Sequence, residues 1–130
     1  MGSPVRSNAK RMPTEAMNQQ INKKVYNEFK DRIREQGYTL NGVIEPLMLQ
    51  YANGRFKLNP DDVMKFKDTN AETEVFSTTF NKEIYSKFKD ACKLRDLPIR
   101  YVVTAFMEVY VTGKYVLEYT DVSKINKVRR

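Results

Sequence analysis

The chain has no histidine and a single cysteine, Cys92. Without histidine there is no His-based triad and no Cys/His zinc site, and the commonest general acid–base side chain is missing. One cysteine excludes an internal disulfide. No apolar run approaches the ~18 residues of a membrane span, and the N-terminus lacks the apolar stretch of a signal peptide. These absences lead us to expect a cytoplasmic, non-enzymatic protein with no cofactor and no metal. Acidic residues are also in short supply, 16 against 23 Lys and Arg, for a formal charge of +7. Such an excess favours a polyanionic partner, for which nucleic acid and an anionic membrane surface are the usual choices.

What the chain does have is the same text twice. Ile21 begins INKKVYNEFKDRIREQGYTLNGVIEPLMLQYANGRFKL and Phe80 begins FNKEIYSKFKDACKLRDLPIRYVVTAFMEVYVTGKYVL, without a gap. At this offset of 59 residues Asn22 meets Asn81, Tyr26 meets Tyr85, Phe29 meets Phe88, and Lys30 and Asp31 meet Lys89 and Asp90. The match continues through Met48/Met107, Tyr51/Tyr110, Gly54/Gly113 and Leu58/Leu117. Each copy is too short to bury a comfortable core alone, so the two are expected to share one. A unit repeated once points to a closed two-fold object; an open solenoid needs three or more.

Leu40, Val43, Ile44, Leu47, Met48 and Tyr51 make the stripe of an amphipathic helix, repeated as Ile99, Val102, Val103, Phe106, Met107 and Tyr110. Val25, Phe29 and Ile33 make a shorter stripe upstream, repeated as Ile84, Phe88 and Cys92. The spacing predicts helices over Lys23 to Gln36, Leu40 to Ala52, Lys82 to Arg95 and Ile99 to Val111. Asn22, Asn81 and Thr39 stand where an N-cap belongs. Gly37 and Pro98 mark the turns between paired helices, and Gly54 and Gly113 end the second ones. Arg55 to Leu58 and Lys114 to Tyr119 then read as short extended pieces. Pro46 inside the longer helix is expected to kink it. Cys92 and the tyrosines at stripe positions read as core.

Before each first helix comes an extended segment, residues 16–21 and 75–80. Alternation places Met17, Gln19 and Ile21, and Phe76, Thr78 and Phe80, toward the helices. Ala16, Asn18, Gln20, Val75, Ser77 and Thr79 are left facing outward.

Strand, capped helix, turn and amphipathic helix in this order resemble the ribbon-helix-helix unit of Arc- and MetJ-like repressors. The resemblance rests on Ile21-Asn22-Lys23-Lys24-Val25 and on residues 37–44 in the first copy, and covers about residues 16–52 and 75–111. It implies a mainly α fold with a short β-ribbon: two tandem β-α-α repeats forming an intramolecular pseudo-dimer, with a two-stranded antiparallel ribbon and four core helices. This organisation is similar to that of the tandem TraY-type accessory proteins of conjugative plasmids. In the family the ribbon enters the DNA major groove, so the resemblance implies base contacts from Ala16, Asn18, Gln20, Val75, Ser77 and Thr79. Asn and Gln suit adenine, Ser and Thr either base type, and valine a thymine methyl. No arginine stands there, unlike a strong guanine reader. Phosphate anchoring at the start of the second helix falls on Thr39, Leu40 and Asn41 and on Ile99 and Arg100, with Lys23 and Lys82 nearby.

The repeats so read occupy 16–58 and 74–119 as one domain, joined by a linker, 59–73, in which Asn59-Pro60-Asp61-Asp62 looks like a capped helix start. Arg6, Lys10 and Arg11 against Glu15 leave residues 1–15 at +2, and Lys124, Lys127, Arg129 and Arg130 against Asp121 leave residues 120–130 at +3. These are expected to be flexible basic tails that follow phosphates or bind a protein partner. The expected partner is double-stranded DNA, with further copies of the chain on adjacent sites. The expected role is a sequence-specific transcriptional regulator of a phage, plasmid or other mobile element. A relaxosome or plasmid-partition accessory factor, and an antitoxin-like protein-interaction module, are the alternatives.

Overall fold

At two places in the chain a strand turns directly into a helix, and one asparagine serves both. Asn22 Oδ1 accepts from Val25 N at 3.0 Å, and Asn81 Oδ1 from Ile84 N at 3.0 Å. Each is the last residue of its strand and the N-cap of the following helix, a cap worth about 1 kcal/mol. The computed structural model describes residues 13–113. The order is β1 (Thr14–Asn22), α1 (Lys23–Gln36), α2 (Leu40–Ala52), α3 (Pro60–Met64), β2 (Thr73–Asn81), α4 (Lys82–Arg95) and α5 (Ile99–Thr112). The described residues are thus mostly helical, with five helices and one two-stranded antiparallel sheet.

The sheet has one wet and one dry face. Met17, Ile21, Phe76 and Phe80 are at most 2% exposed and lie against the helices. Above them, α1 packs on α5 and α2 on α4, each more extensively than on the helix that follows or precedes it in its own repeat. Equivalent rings mark both contacts. Phe29 meets Tyr110 edge-on at 5.7 Å, and Phe88 meets Tyr51 at 5.9 Å. Phe106 joins the second pair, at 5.6 Å from Tyr51 and 5.5 Å from Phe88.

The turns between paired helices follow one plan with different residues. Gly37, at φ 76°, lets Tyr38 N reach Ile33 O at 2.9 Å; Asp96, at φ 58°, lets Leu97 N reach Cys92 O at 2.9 Å. Aspartate is among the few residues other than glycine that enter this region at modest cost. Thr39 caps α2 through Gly42 N at 3.0 Å, and a Cβ on Gly42 would come within 2.8 Å of that hydroxyl. Pro98 begins α5 with no side-chain cap. Helix α2 continues past Pro46 to Ala52, and nothing in the structure explains this proline.

Several boundaries move. The strands begin at Thr14 and Thr73, so residues 14 and 15 belong to the ribbon, not to a tail, and Thr73 is not linker. The cause is the register: Thr14 lies opposite Asn81 and Thr73 opposite Asn22, so each strand extends until it meets the partner's cap. Residues Arg55 to Leu58 form a bend followed by irregular chain, not a strand. Among the described residues no third strand adjoins them, and Phe56 and Leu58 tuck half-buried against the core. Helix α5 runs one residue further than expected, to Thr112. The extended piece expected at 114–119 and the basic residues Arg6, Lys10, Arg11, Lys124, Lys127, Arg129 and Arg130 lie outside the described residues.

Two buried polar groups separate the halves. Tyr110 Oη donates to Gln36 Oε1. At the equivalent of Gln36 stands Arg95, which lies over the Tyr51 ring at 4.7 Å and leaves the buried Tyr51 hydroxyl with no hydrogen-bond partner among the described residues. Removing a hydroxyl that has a partner costs about 0.5–1.5 kcal/mol, whereas removing an orphaned one relieves a desolvation cost. Tyr110→Phe is therefore expected to lower the unfolding free energy by about 1 kcal/mol, and Tyr51→Phe to leave it equal or higher, measured by urea denaturation. Burial also pushes the Cys92 thiol up to about 12, with Arg95 opposing weakly. The folded chain keeps its thiol proton at pH values where the unfolded chain loses it, so stability should fall as pH rises from about 9 toward 12. Cys92→Ala should flatten that decline in denaturation curves taken across the same range.

Candidate nucleic-acid interface

On the wet face of the ribbon a row of side chains points away from the core. Ala16, Asn18, Gln20, Val75, Ser77 and Thr79 are all exposed, Val75 by 52%. Asn18 lies opposite Ser77, its own counterpart in the other repeat; Ala16 lies opposite Thr79 and Gln20 opposite Val75. The antiparallel register thus brings the six residues expected at the interface together on one surface. Thr14 and Thr73 are exposed at its ends and extend the row to eight. Both lie beyond the segments expected at 16–21 and 75–80, and threonine, a good strand former, continues their alternation. None of the eight is charged. Thr73 Oγ1 donates to Gln20 Oε1 at 2.7 Å, which fixes the orientation of that carboxamide.

The ribbon does carry acids, at its sides, and each has a lysine. Glu15 pairs with Lys89, and its counterpart Glu74 lies 3.8 Å from Lys30. The same lysines sit over tyrosine rings, Lys30 4.3 Å from the centroid of Tyr26 and Lys89 4.7 Å from that of Tyr85. Recurring lysines on amphipathic helices look like mere solubilising residues. These two instead neutralise carboxylates of the opposite repeat beside the outward row. The groups are about one third exposed, so each pair contributes less than about 1 kcal/mol to stability. Their effect on the local field matters more, because two bare carboxylates would repel a polyanion.

The two ends of the ribbon are built alike and finished differently. At the first, beside the start of α2, Asn41 Nδ2 donates to Thr79 O at 2.6 Å and its Oδ1 accepts from Thr78 Oγ1 at 3.2 Å. Glu45 Oε2 accepts from Asn81 N at 2.7 Å. At the second, beside the start of α5, the equivalents are Arg100 and Thr104. Arg100 is exposed, its guanidinium 4.9 Å from the Tyr101 centroid, and Thr104 Oγ1 donates to Arg100 O at 2.7 Å. A cavity of about 310 Å³ opens there, lined by Gln20, Asn22, Lys67, Thr73 and Arg100 among others.

The residues expected at phosphates accordingly divide. Leu40 and Ile99 are half-buried against the core and offer only backbone N–H groups. The Thr39 hydroxyl is engaged in its cap, and both ends of the Asn41 side chain hold β2. Arg100, Lys23 and Lys82 are exposed, and none is in an ion pair among the described residues. Rings are withdrawn from the surface: Tyr51, Tyr85, Tyr110 and five of the seven phenylalanines are buried. No helix among the described residues is long and apolar enough to cross a membrane. The chain matches no family model, no curated protein and no solved structure.

Equivalent substitutions at the two ends should behave differently. Asn41→Ala removes two of the three ties between α2 and β2 and is expected to cost about 1–2 kcal/mol, whereas Arg100→Ala should change stability by less than about 0.5 kcal/mol. Chemical denaturation of the two variants measures the contrast.

Proposed function

We propose that this chain binds double-stranded DNA by laying its two-stranded ribbon in the major groove, as a single-chain, pseudo-dimeric version of a ribbon-helix-helix dimer. The observation that carries the reading is the outward row. Eight short, uncharged, mostly hydrogen-bonding side chains stand over a buried apolar row, in a chain whose formal charge is +7. A major groove ~12 Å wide admits such a ribbon, whose strands run ~5 Å apart. Asn18 and Gln20 carry both a donor and an acceptor, the pattern that matches adenine N6 and N7. Ser77, Thr79, Thr14 and Thr73 add hydroxyls, and Val75 an apolar surface for a thymine methyl. The start of α5, with Arg100, grips a flanking phosphate through its N–H groups and its guanidinium.

Duplex DNA is favoured over single strands because a single-strand platform needs exposed rings for stacking, and most rings here are in the core. The two halves of the row differ in sequence, so the preferred site is asymmetric. The chain acts on this reading as a site-specific regulator or accessory factor on duplex DNA.

Selection of bound duplexes from a random library should yield one non-palindromic consensus. Asn18→Ala with Gln20→Ala should weaken that site by about 1–3 kcal/mol per lost base contact, while binding to unrelated duplex changes little. Equal losses on all sequences would count against base reading by the ribbon.

A further inference from the structure

The repeat runs past the residues the structure describes. Beyond Gly54 the chain reads Arg-Phe-Lys-Leu-Asn-Pro-Asp-Asp-Val-Met-Lys-Phe, and beyond Gly113 it reads Lys-Tyr-Val-Leu-Glu-Tyr-Thr-Asp-Val-Ser-Lys-Ile. At the same offset Leu58 meets Leu117, Asp62 meets Asp121, Val63 meets Val122 and Lys65 meets Lys124, while Phe56 and Phe66 meet Tyr115 and Ile125. The helix-start signal Asn59-Pro60 is not copied. Phe56, Leu58, Val63 and Phe66 keep apolar or aromatic counterparts, whereas Met64 meets Ser123.

In the first copy these positions have a use. Val63 is fully buried, Phe56, Leu58 and Phe66 are half-buried against the core, and Lys65 pairs with Glu108 of α5 at 2.7 Å. Helix α3 thereby covers the outer face of α5, where Thr104 and Ala105 are each 1% exposed. Their equivalents on α2, Glu45 and Pro46, are only half-buried. Beside them runs an open groove of about 380 Å³, lined by Asn41, Glu45, Pro46, Leu49, Gln50 and Ile84.

We propose that residues 115–125 of this same chain dock in the α2 groove, with Val122 and Ile125 in the roles that Val63 and Phe66 fill on α5. The segment departs from Gly113 at φ 78°, as the linker departs from Gly54 at φ 79°. The N-terminal segment, the other stretch of chain near β1, lacks this pattern, since Pro4 and Ser7 stand where the offset would put Val63 and Phe66. After α3 the linker passes the start of α5, where Lys67, Thr69 and Ala71 line the cavity beside Arg100. The counterpart path carries Lys127, Arg129 and Arg130 to the α2 end of the ribbon, where Asn41 and Glu45 supply no positive charge. That consequence rests on the DNA reading, whereas the docking does not.

In the full chain without DNA, Val122→Asp should lower the thermal midpoint by roughly 5 °C or more, as Val63→Asp should at the buried counterpart. It should also shift the amide resonances of Gly42, Leu49 and Ile84. An unchanged midpoint with unchanged resonances overturns the docking. So does a groove whose resonances respond to deletion of residues 1–12 but not to Val122→Asp, which makes the N-terminal segment the occupant, or one that responds to protein concentration instead, which makes it a second copy. Lys127→Ala with Arg129→Ala and Arg130→Ala should leave the midpoint alone and flatten the salt dependence of duplex binding. If the docking responses appear and no duplex binds, the DNA reading fails and the docking stands.

Discussion

Everything else in this molecule depends on the antiparallel pairing of β1 with β2. A two-stranded sheet is marginal in water unless one of its faces is covered. Here Met17, Ile21, Phe76 and Phe80 provide that face, and the helices of both repeats cover it. Because each strand leads straight into a capped helix, fixing the ribbon also fixes where α1 and α4 begin. The crossed helix contacts follow, α1 on α5 and α2 on α4, and neither repeat holds a complete core of its own. A one-residue slip of register would turn the four buried residues to solvent and the outward row to the core. The chemistry of the outer face is therefore protected by the packing of the inner one.

On that common frame the two repeats carry different substituents, inside the shared core as well as around it. Phe29 and Phe88, Met48 and Met107, and Tyr51 and Tyr110 are retained, whereas Leu47 is replaced by Phe106, Ile33 by Cys92 and Ile21 by Phe80, so the two halves fill one dense interior with unequal volumes. Around them Gln36 faces Arg95, Gly37 faces Asp96, Asn41 faces Arg100 and Glu45 faces Thr104. Each exchange alters a local bond without altering the path of the backbone. Asp96 accepts the left-handed turn that Gly37 takes freely. Arg95 covers the Tyr51 ring but does not satisfy its hydroxyl, as Gln36 does for Tyr110. The ribbon consequently has a fastened end at α2 and a basic, open end at α5.

Much of this was legible in the sequence because the chain carries its own comparison. The helix stripes and the caps Asn22, Asn81 and Thr39 recur or stand at matched places, and the four long helices lie within a residue of their expected spans. The outward row followed from alternation alone. What escaped were properties of pairs. That Thr14 and Thr73 belong to the strands depends on which residues lie opposite them. That Lys30 and Lys89 serve Glu74 and Glu15 depends on the crossing of repeats, which no local pattern encodes. Asn41 looked like a phosphate ligand from its place at a helix start. Its side chain is drawn to β2 because Thr78 and the Thr79 carbonyl come within reach only in the folded ribbon.

The distribution of charge gives the proposed interaction its character. Affinity for a polyanion comes mainly from neutralised phosphates and falls with salt, whereas discrimination among sequences comes from hydrogen bonds and apolar contacts to base edges. A charged outward row would mix the two and hold any duplex. This row is uncharged, its neighbouring acids are paired with lysines, and Lys23, Lys82 and Arg100 stand at helix starts to either side. In the proposed complex such a division would let the centre of the ribbon decide which sequence is held while the periphery sets how strongly. Fusing two copies extends the division further. A homodimer would have to present one row twice and one end twice; here Asn18 faces Ser77 across the ribbon, and Arg100 at one end answers Asn41 at the other, so on the proposed reading the orientation of the chain on its site would itself be specified.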